Sequence, residues 1–235
     1  MLNKFHQEIS DQIKSNSRPS KNLYQGDSYV SSGHEYYYVS VPKFREIAKN
    51  WAVQNKDISI SALLEVLDSI IKGKSYEEKI MAGIILDYLP KQRSQLDPQF
   101  YNKWLDYLVG WAEIDSLCQS AFSSKEILSK WNQWEKLIID FSQDQNISKR
   151  RASLVLLTSP VGQSDNQRLA DLSFQIIDKL KSEKDILITK AISWLLRSLI
   201  KNHKNRLQEY LKQNMNSLPK IAIRETKNKL LKGKK

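Results

Sequence analysis

Apolar residues recur along this chain at intervals of three and four. Ile60, Leu63, Leu64, Leu67, Ile70 and Ile71 form one such run, and Ile80, Met81, Ile84, Ile85, Tyr88 and Leu89 form the next. The pattern returns at Trp134, Leu137, Ile138 and Phe141, at Leu169, Leu172, Ile176 and Leu180, and at Ile188, Ile192, Leu195 and Leu199. That spacing collects apolar side chains on one face of an α-helix. Each run covers roughly 12–18 residues, an ordinary helix length. Short polar stretches such as KGKSYEE, LPKQRSQLDP and SPVGQSDNQ separate them. Strict alternation, the mark of a half-buried strand, is nearly absent: the one candidate, EYYYVSV at 35–41, is short and ends at Pro42.

Helices of similar length, each with one apolar stripe and joined by short loops, predict antiparallel pairs stacked side by side. The expected fold is all-α, a right-handed superhelix of HEAT-like helical repeats spaced about 40 residues apart. A compact irregular bundle is the other arrangement the pattern allows. The 235 residues suit a single domain. Within it we expect an N-terminal helix and loop over 1–40, a repeat body over 41–200 and basic helices over 201–235.

Composition narrows the picture. The 7 Gly and 6 Pro are too few for the many turns of an all-β protein. Cys118 stands alone, which rules out an intrachain disulfide, and its neighbours suggest a buried, inert thiol. The N-terminal stretch MLNKFHQEISDQIKS has no apolar core of the kind a signal peptide carries. The longest apolar stretch, Ile80 to Leu86, is far short of the roughly 20 residues a membrane span needs. A cytoplasmic protein without a membrane partner is expected.

Charge changes the picture more. The net charge is +11, and residues 201–235 hold eleven Lys or Arg against two Glu, so +9 of it lies in the last 35 positions. Such a block attracts polyanions, nucleic acid foremost, through release of condensed counterions. A solvated tail that keeps the protein soluble is the plainer alternative.

Three features are candidates for chemistry. In WAEID, Trp111 and Asp115 stand four apart, neighbours on a helix surface, beside a stripe of Ile114, Leu117, Cys118 and Ala121. A carboxylate against an indole suits a developing cation; a merely solvated Asp near a helix start is the alternative. Lys149, Arg150 and Arg151 open another helix, where three cations oppose the macrodipole. Either an external phosphate or ion pairs to Asp140 or Asp144 would compensate them. Trp194 lies more than roughly 100° round the helix from the Ile188, Ile192, Leu195, Leu199 stripe. Lys190, Ala191, Arg197 and Ser198 surround it there, which reads as a nucleic-acid surface or as packing against an adjacent repeat. No phosphate-cradling glycine loop, HExxH, CxxC or serine elbow is present, and His6, His34 and His203 are scattered. No cofactor and no metal are expected, so an enzyme here must work with a carboxylate and aromatic rings.

In this order and spacing, WAEID (111–115), RRASLVLL (150–157) and KAISWLLR (190–197) resemble the AlkD family of HEAT-like-repeat alkylpurine DNA glycosylases. VPKFR (41–45) opens the first well-matched helix, and LPKIAIRETKNKL (218–230) is similar to the family's closing basic helix. The resemblance runs from about Tyr29 to Lys229. It implies that Asp115 is the catalytic aspartate, that Trp111 and Trp194 flank the lesion, and that Arg151 lies on the phosphate backbone. Tyr29 corresponds to a tyrosine in the same cleft, and Lys149, Arg150, Lys190 and Arg197 join the DNA-binding set. It also implies excision of positively charged N3- and N7-alkylated purines from double-stranded DNA, without base flipping, by a monomer. The stretch at 17–42, rich in Ser with Pro19, Gly26 and Gly33, departs from the family's second amphipathic helix and reads as a loop, a reduced clamp. The competing readings are a non-catalytic HEAT-like protein that binds DNA by shape or damage, and a protein–protein scaffold.

Overall fold

The computed structural model describes residues 3–18, 32–119 and 122–233, and among them every regular element is helical. Two compact units divide the chain, residues 1–121 and 122–235. The first holds α1 (Lys4–Ser15), α2 (Val41–Gln54), α3 (Ile60–Ile71), α4 (Tyr76–Tyr88), α5 (Pro90–Gln95), α6 (Gln99–Trp104), a 3-10 turn at Leu105–Tyr107 and α7 (Gly110–Gln119). The second holds α8 (Ser124–Ser129), α9 (Trp131–Phe141), α10 (Ile147–Gln163), α11 (Gln167–Leu180), α12 (Ile186–Asn214) and α13 (Lys220–Lys232).

The apolar stripes become the cores. In α3, Leu63, Val66, Leu67, Ile70 and Ile71 are buried, and in α11 Leu169, Leu172, Ile176 and Leu180 are. Helix starts follow local chemistry: Ser75 with Glu78, and Ser123 with Glu126, form reciprocal capping boxes, while Asn3, Ser59, Asn146, Asn166 and Asp185 cap with single side chains.

Each unit is organised around one helix buried nearly all round. In the first it is α4, which contacts α1, α2, α3, α5 and α7 and carries Glu77, Glu78 and Lys79 into the interior. In the second it is α10, packed on α8, α9, α11 and α12. A helix covered on all sides cannot spend its polar residues on solvent, so the charges near both starts find internal partners.

Two polar stretches read as breaks are helical instead. LPKQRSQLDP contains α5, which starts on Pro90, a residue preorganised for the first helical position; the buried Arg93 donates to the Leu86 carbonyl 2.9 Å away. SPVGQ continues α10 through Pro160 to Gln163, with Val161 buried. The Asn202 amide and the His203 ring take the Val161 and Ser164 carbonyls at 3.0 Å each, closing that helix end. Residues 32–40 form no regular element, as the loop reading expects, and make one parallel bridge, Glu35 to Ser75. Helix α12 runs through position 200 and bends at His203, whose φ of −129° and ψ of 31° leave helical geometry.

Candidate active site

Trp111 and Asp115 lie on α7 in the first unit. Gly110 opens that helix with a φ of +73°, a left-handed turn that glycine adopts without a Cβ clash. Farther along, α7 crosses α4 at Gly83. A Cβ on Gly83 would sit 2.1 Å from the Ser116 carbonyl oxygen and 2.3 Å from its carbon, closer than real Cβ atoms ever come. The Ser116 hydroxyl donates back to the Ile80 carbonyl at 2.8 Å. Backbone thus meets backbone one residue beyond Asp115, and the helix has little room to slide.

Ile114, Leu117 and Cys118 are buried, as the sequence pattern expects, and Cys118 is a free thiol. Ala121 lies outside the described residues. Asp115 is not the solvated side chain that was the alternative: it is 8% exposed. Trp111 is half-buried on the same side of the helix.

Beneath α7 is a polar cluster that sequence reasoning missed. Glu113, fully buried, takes the Val109 N–H on one carboxylate oxygen at 2.9 Å and faces the His34 Nδ1 with the other at 2.7 Å. Burial pushes its carboxyl above the ordinary range, while the Val109 N–H, His34 and Lys79 pull it back down. The Lys79 ammonium donates to the Ile71 and Tyr107 carbonyls at 3.0 and 2.9 Å. Burial lowers its pKa, against the attraction of Glu113 and Glu78. The residue spacing of WAEID hints at Glu113 as a helix-start group, but a partner 79 positions away leaves no mark in a spacing.

The other site residues are in the second unit. At the start of α10, Lys149 pairs with Asp144 at 3.6 Å, one of the two carboxylates named as internal alternatives. Arg150 pairs instead with Glu183 at 2.8 Å and also donates to the Asp144 and Gln145 carbonyls. Arg151, 4% exposed, donates to the Leu187 carbonyl in the first turn of α12. All three cations therefore have partners inside the protein, and Lys149 and Arg150 serve to fasten the start of α10.

Trp194 is half-buried on α12, with Lys190 exposed one turn before it. Arg197, one turn after, donates to the Ser193 carbonyl and lies 3.4 Å from Glu225 of α13, and the Ser193 hydroxyl donates to the same carboxylate at 2.6 Å. Burial lowers the Arg197 pKa, with Glu225 opposing. Packing α13 onto α12 leaves Lys220, Arg224, Lys227 and Lys232 at least partly exposed, as are Lys201, Lys204 and Lys212 on α12. Arg206 is drawn back by Asp171 and Gln167.

The structure thus brings Trp111 and Asp115 together in one unit, and Arg151, Trp194, Lys190 and Arg197 onto contacting helices of the other. Tyr29 lies outside the described residues. The histidines are individually placed: His6 bridges Ser69 and Glu78 at 2.7 and 2.9 Å, and His203 closes the end of α10. Among the described residues no three His, Cys, Asp or Glu are grouped to hold a metal ion, and no helix is long and apolar enough to cross a membrane.

Against known proteins, the family described as DNA alkylation repair enzyme matches residues 9–230. That match begins inside α1, some twenty residues before Tyr29. A solved structure of a predicted DNA alkylation repair enzyme from Enterococcus faecalis is similar over 99% of this chain and 98% of its own, with a TM-score of 0.69 and 17% identity. No curated protein sequence matches the chain.

Proposed function

This chain belongs to the family of DNA alkylation repair enzymes, and from that premise we propose that it is a monofunctional DNA glycosylase using Asp115. Its substrates are cationic N3- and N7-alkylated purines in double-stranded DNA. Such a base already carries positive charge and departs neutral, so no general acid is required. As the bond to the sugar breaks, charge develops as in an oxocarbenium ion. Asp115 stabilises that charge and positions the attacking water, and electrostatic stabilisation of this kind is commonly the largest catalytic contribution.

The observation that carries this reading is the placement of Asp115: a carboxylate nearly buried, beside a half-buried indole, on a helix locked by the Gly83 crossing. Low exposure strengthens the attraction between a carboxylate and a nearby cation. Trp111 and Trp194 contact the cationic sugar, each contributing about 0.5–2 kcal/mol, with the nucleotide kept against the protein surface rather than flipped out. Arg151, oriented by the Leu187 carbonyl, contacts the backbone beside the lesion. Exposed Lys190 and the lysines of α12 and α13 hold other phosphates, contacts that carry no sequence information. The protein acts in the cytoplasm as a monomer, its helices stacked as HEAT-like repeats.

The test is Asp115→Asn. Excision is expected to disappear while binding to intact DNA stays near wild type; equal loss of both contradicts the catalytic role.

A further inference from the structure

We propose that Glu113 is a positioning residue for Asp115, pinning the first turn of α7 through a buried polar cluster with His34 and Lys79. The inference rests on the catalytic role given to Asp115 and adds residues which that role does not assign.

Glu113 has no solvent-exposed surface, and both its carboxylate oxygens are engaged. One holds the backbone N–H of Val109, immediately before the helix. The other faces the imidazole of His34, in the irregular segment over residues 32–40. Lys79, on α4, carries the countercharge and grips the Tyr107 carbonyl, so the turn leading into α7 is held from both sides. In that turn Leu105 and Leu108 are buried, while Tyr107 and Val109 are exposed. The irregular segment is held by a second buried carboxylate: Glu77 accepts the Tyr37 and Val39 N–H groups, with Tyr38 between them at a φ of +55°. A side chain in that left-handed region is strained, and the two N–H bonds to Glu77 hold it there. Elsewhere a buried carboxylate without its partners is strongly unfavourable. Here three elements supply the partners, and they meet two residues before Asp115.

Three measurements on the full chain test the proposal, with wild type, Glu113→Gln, His34→Gln and the double variant. They are single-turnover release of N7-methylguanine, affinity for intact duplex, and amide hydrogen exchange over residues 109–115. Glu113→Gln is expected to slow release about 10- to 100-fold, the scale of a misplaced reacting group, with duplex affinity unchanged. Exchange should quicken over 109–115, and the double variant should lose no more than Glu113→Gln alone. Wild-type release by Glu113→Gln, or a parallel loss of rate and affinity, overturns the proposal. If the wild type releases no base, the glycosylase reading fails, and exchange still decides: quickening confined to 109–115 supports the pin, and unchanged exchange overturns it. Should Glu113→Gln not fold, His34→Gln carries the same readouts from a ring that is 23% exposed.

Discussion

Gly83→Ala offers a perturbation whose size can be worked from the crossing of α4 and α7. The added methyl carbon would start 2.1 Å from the Ser116 carbonyl oxygen, whereas real Cβ contacts essentially never fall under 3.0 Å. The obstacle is backbone and cannot rotate aside, so the helices must part by about 0.9 Å, the difference between those two distances. Overpacking of this kind costs about 1–3 kcal/mol. The same displacement acts on Asp115, the residue before Ser116, and a shift near 1 Å can lower a rate about 100-fold. The Ser116 to Ile80 hydrogen bond, 2.8 Å long, lengthens with it. Gly162→Ala in α10 is the matched control, because its nearest neighbour is the Ser198 carbonyl oxygen at 3.9 Å. There the substitution meets no obstacle and should stabilise by about 0.5–1 kcal/mol, the usual gain of Ala over Gly within a helix. Denaturant unfolding and single-turnover base release would be measured on both. Gly83→Ala with wild-type stability and rate refutes the claim that this crossing sets the position of Asp115.

Other expectations follow from the same geometry. Glu78 is buried, which pushes its carboxyl up, but bonds from His6 and Ser75 hold it down at about 2. Its folded value is thus below the ordinary 4.5, and the stability it contributes is present above pH 4.5 and lost as pH falls towards 2. Thermal unfolding against pH should show this acid limb, flattened in Glu78→Gln. Replacing Lys220, Arg224 and Lys227 together with Ala should weaken duplex binding uniformly across sequences. It should also reduce the slope of log affinity against log salt by about 2–3, roughly 0.9 for each phosphate no longer neutralised; an unchanged slope would place DNA elsewhere. Trp194→Ala should slow excision about 2- to 30-fold, the kinetic equivalent of one cation–π contact, and leave the unfolding midpoint within a few degrees of wild type.

Local patterns were readable from the sequence, and long-range partners were not. The stripes at 60–71 and 169–180 mark helices because a 3.6-residue period is a local property, visible without knowing what packs against it. Asp115 and Trp111 are legible as a pair for the same reason, but whether Asp115 is solvated depends on α4 crossing at Gly83, distant in the chain. The trio at 149–151 illustrates the limit well. Three adjacent cations signal a need for compensation, and Lys149 finds Asp144 close in sequence, while Arg150 and Arg151 find Glu183 and the Leu187 carbonyl beyond the whole length of α11. Proline and glycine misled in SPVGQ, where burial of Val161 and the caps from Asn202 and His203 outweigh the local preference for a break. The Glu113, His34 and Lys79 cluster was out of reach, because its three members come from stretches with no shared pattern.

The reaction proposed for this protein is cleavage of the N-glycosidic bond of alkylated purines through Asp115. The most direct measurement is release of free base from duplex DNA containing N7-methylguanine or N3-methyladenine, wild type beside Asp115→Asn. Free base and an abasic site with the wild type alone are the predicted result. Intact duplex binding with no base released by either protein contradicts the account and leaves a DNA-binding protein without this chemistry.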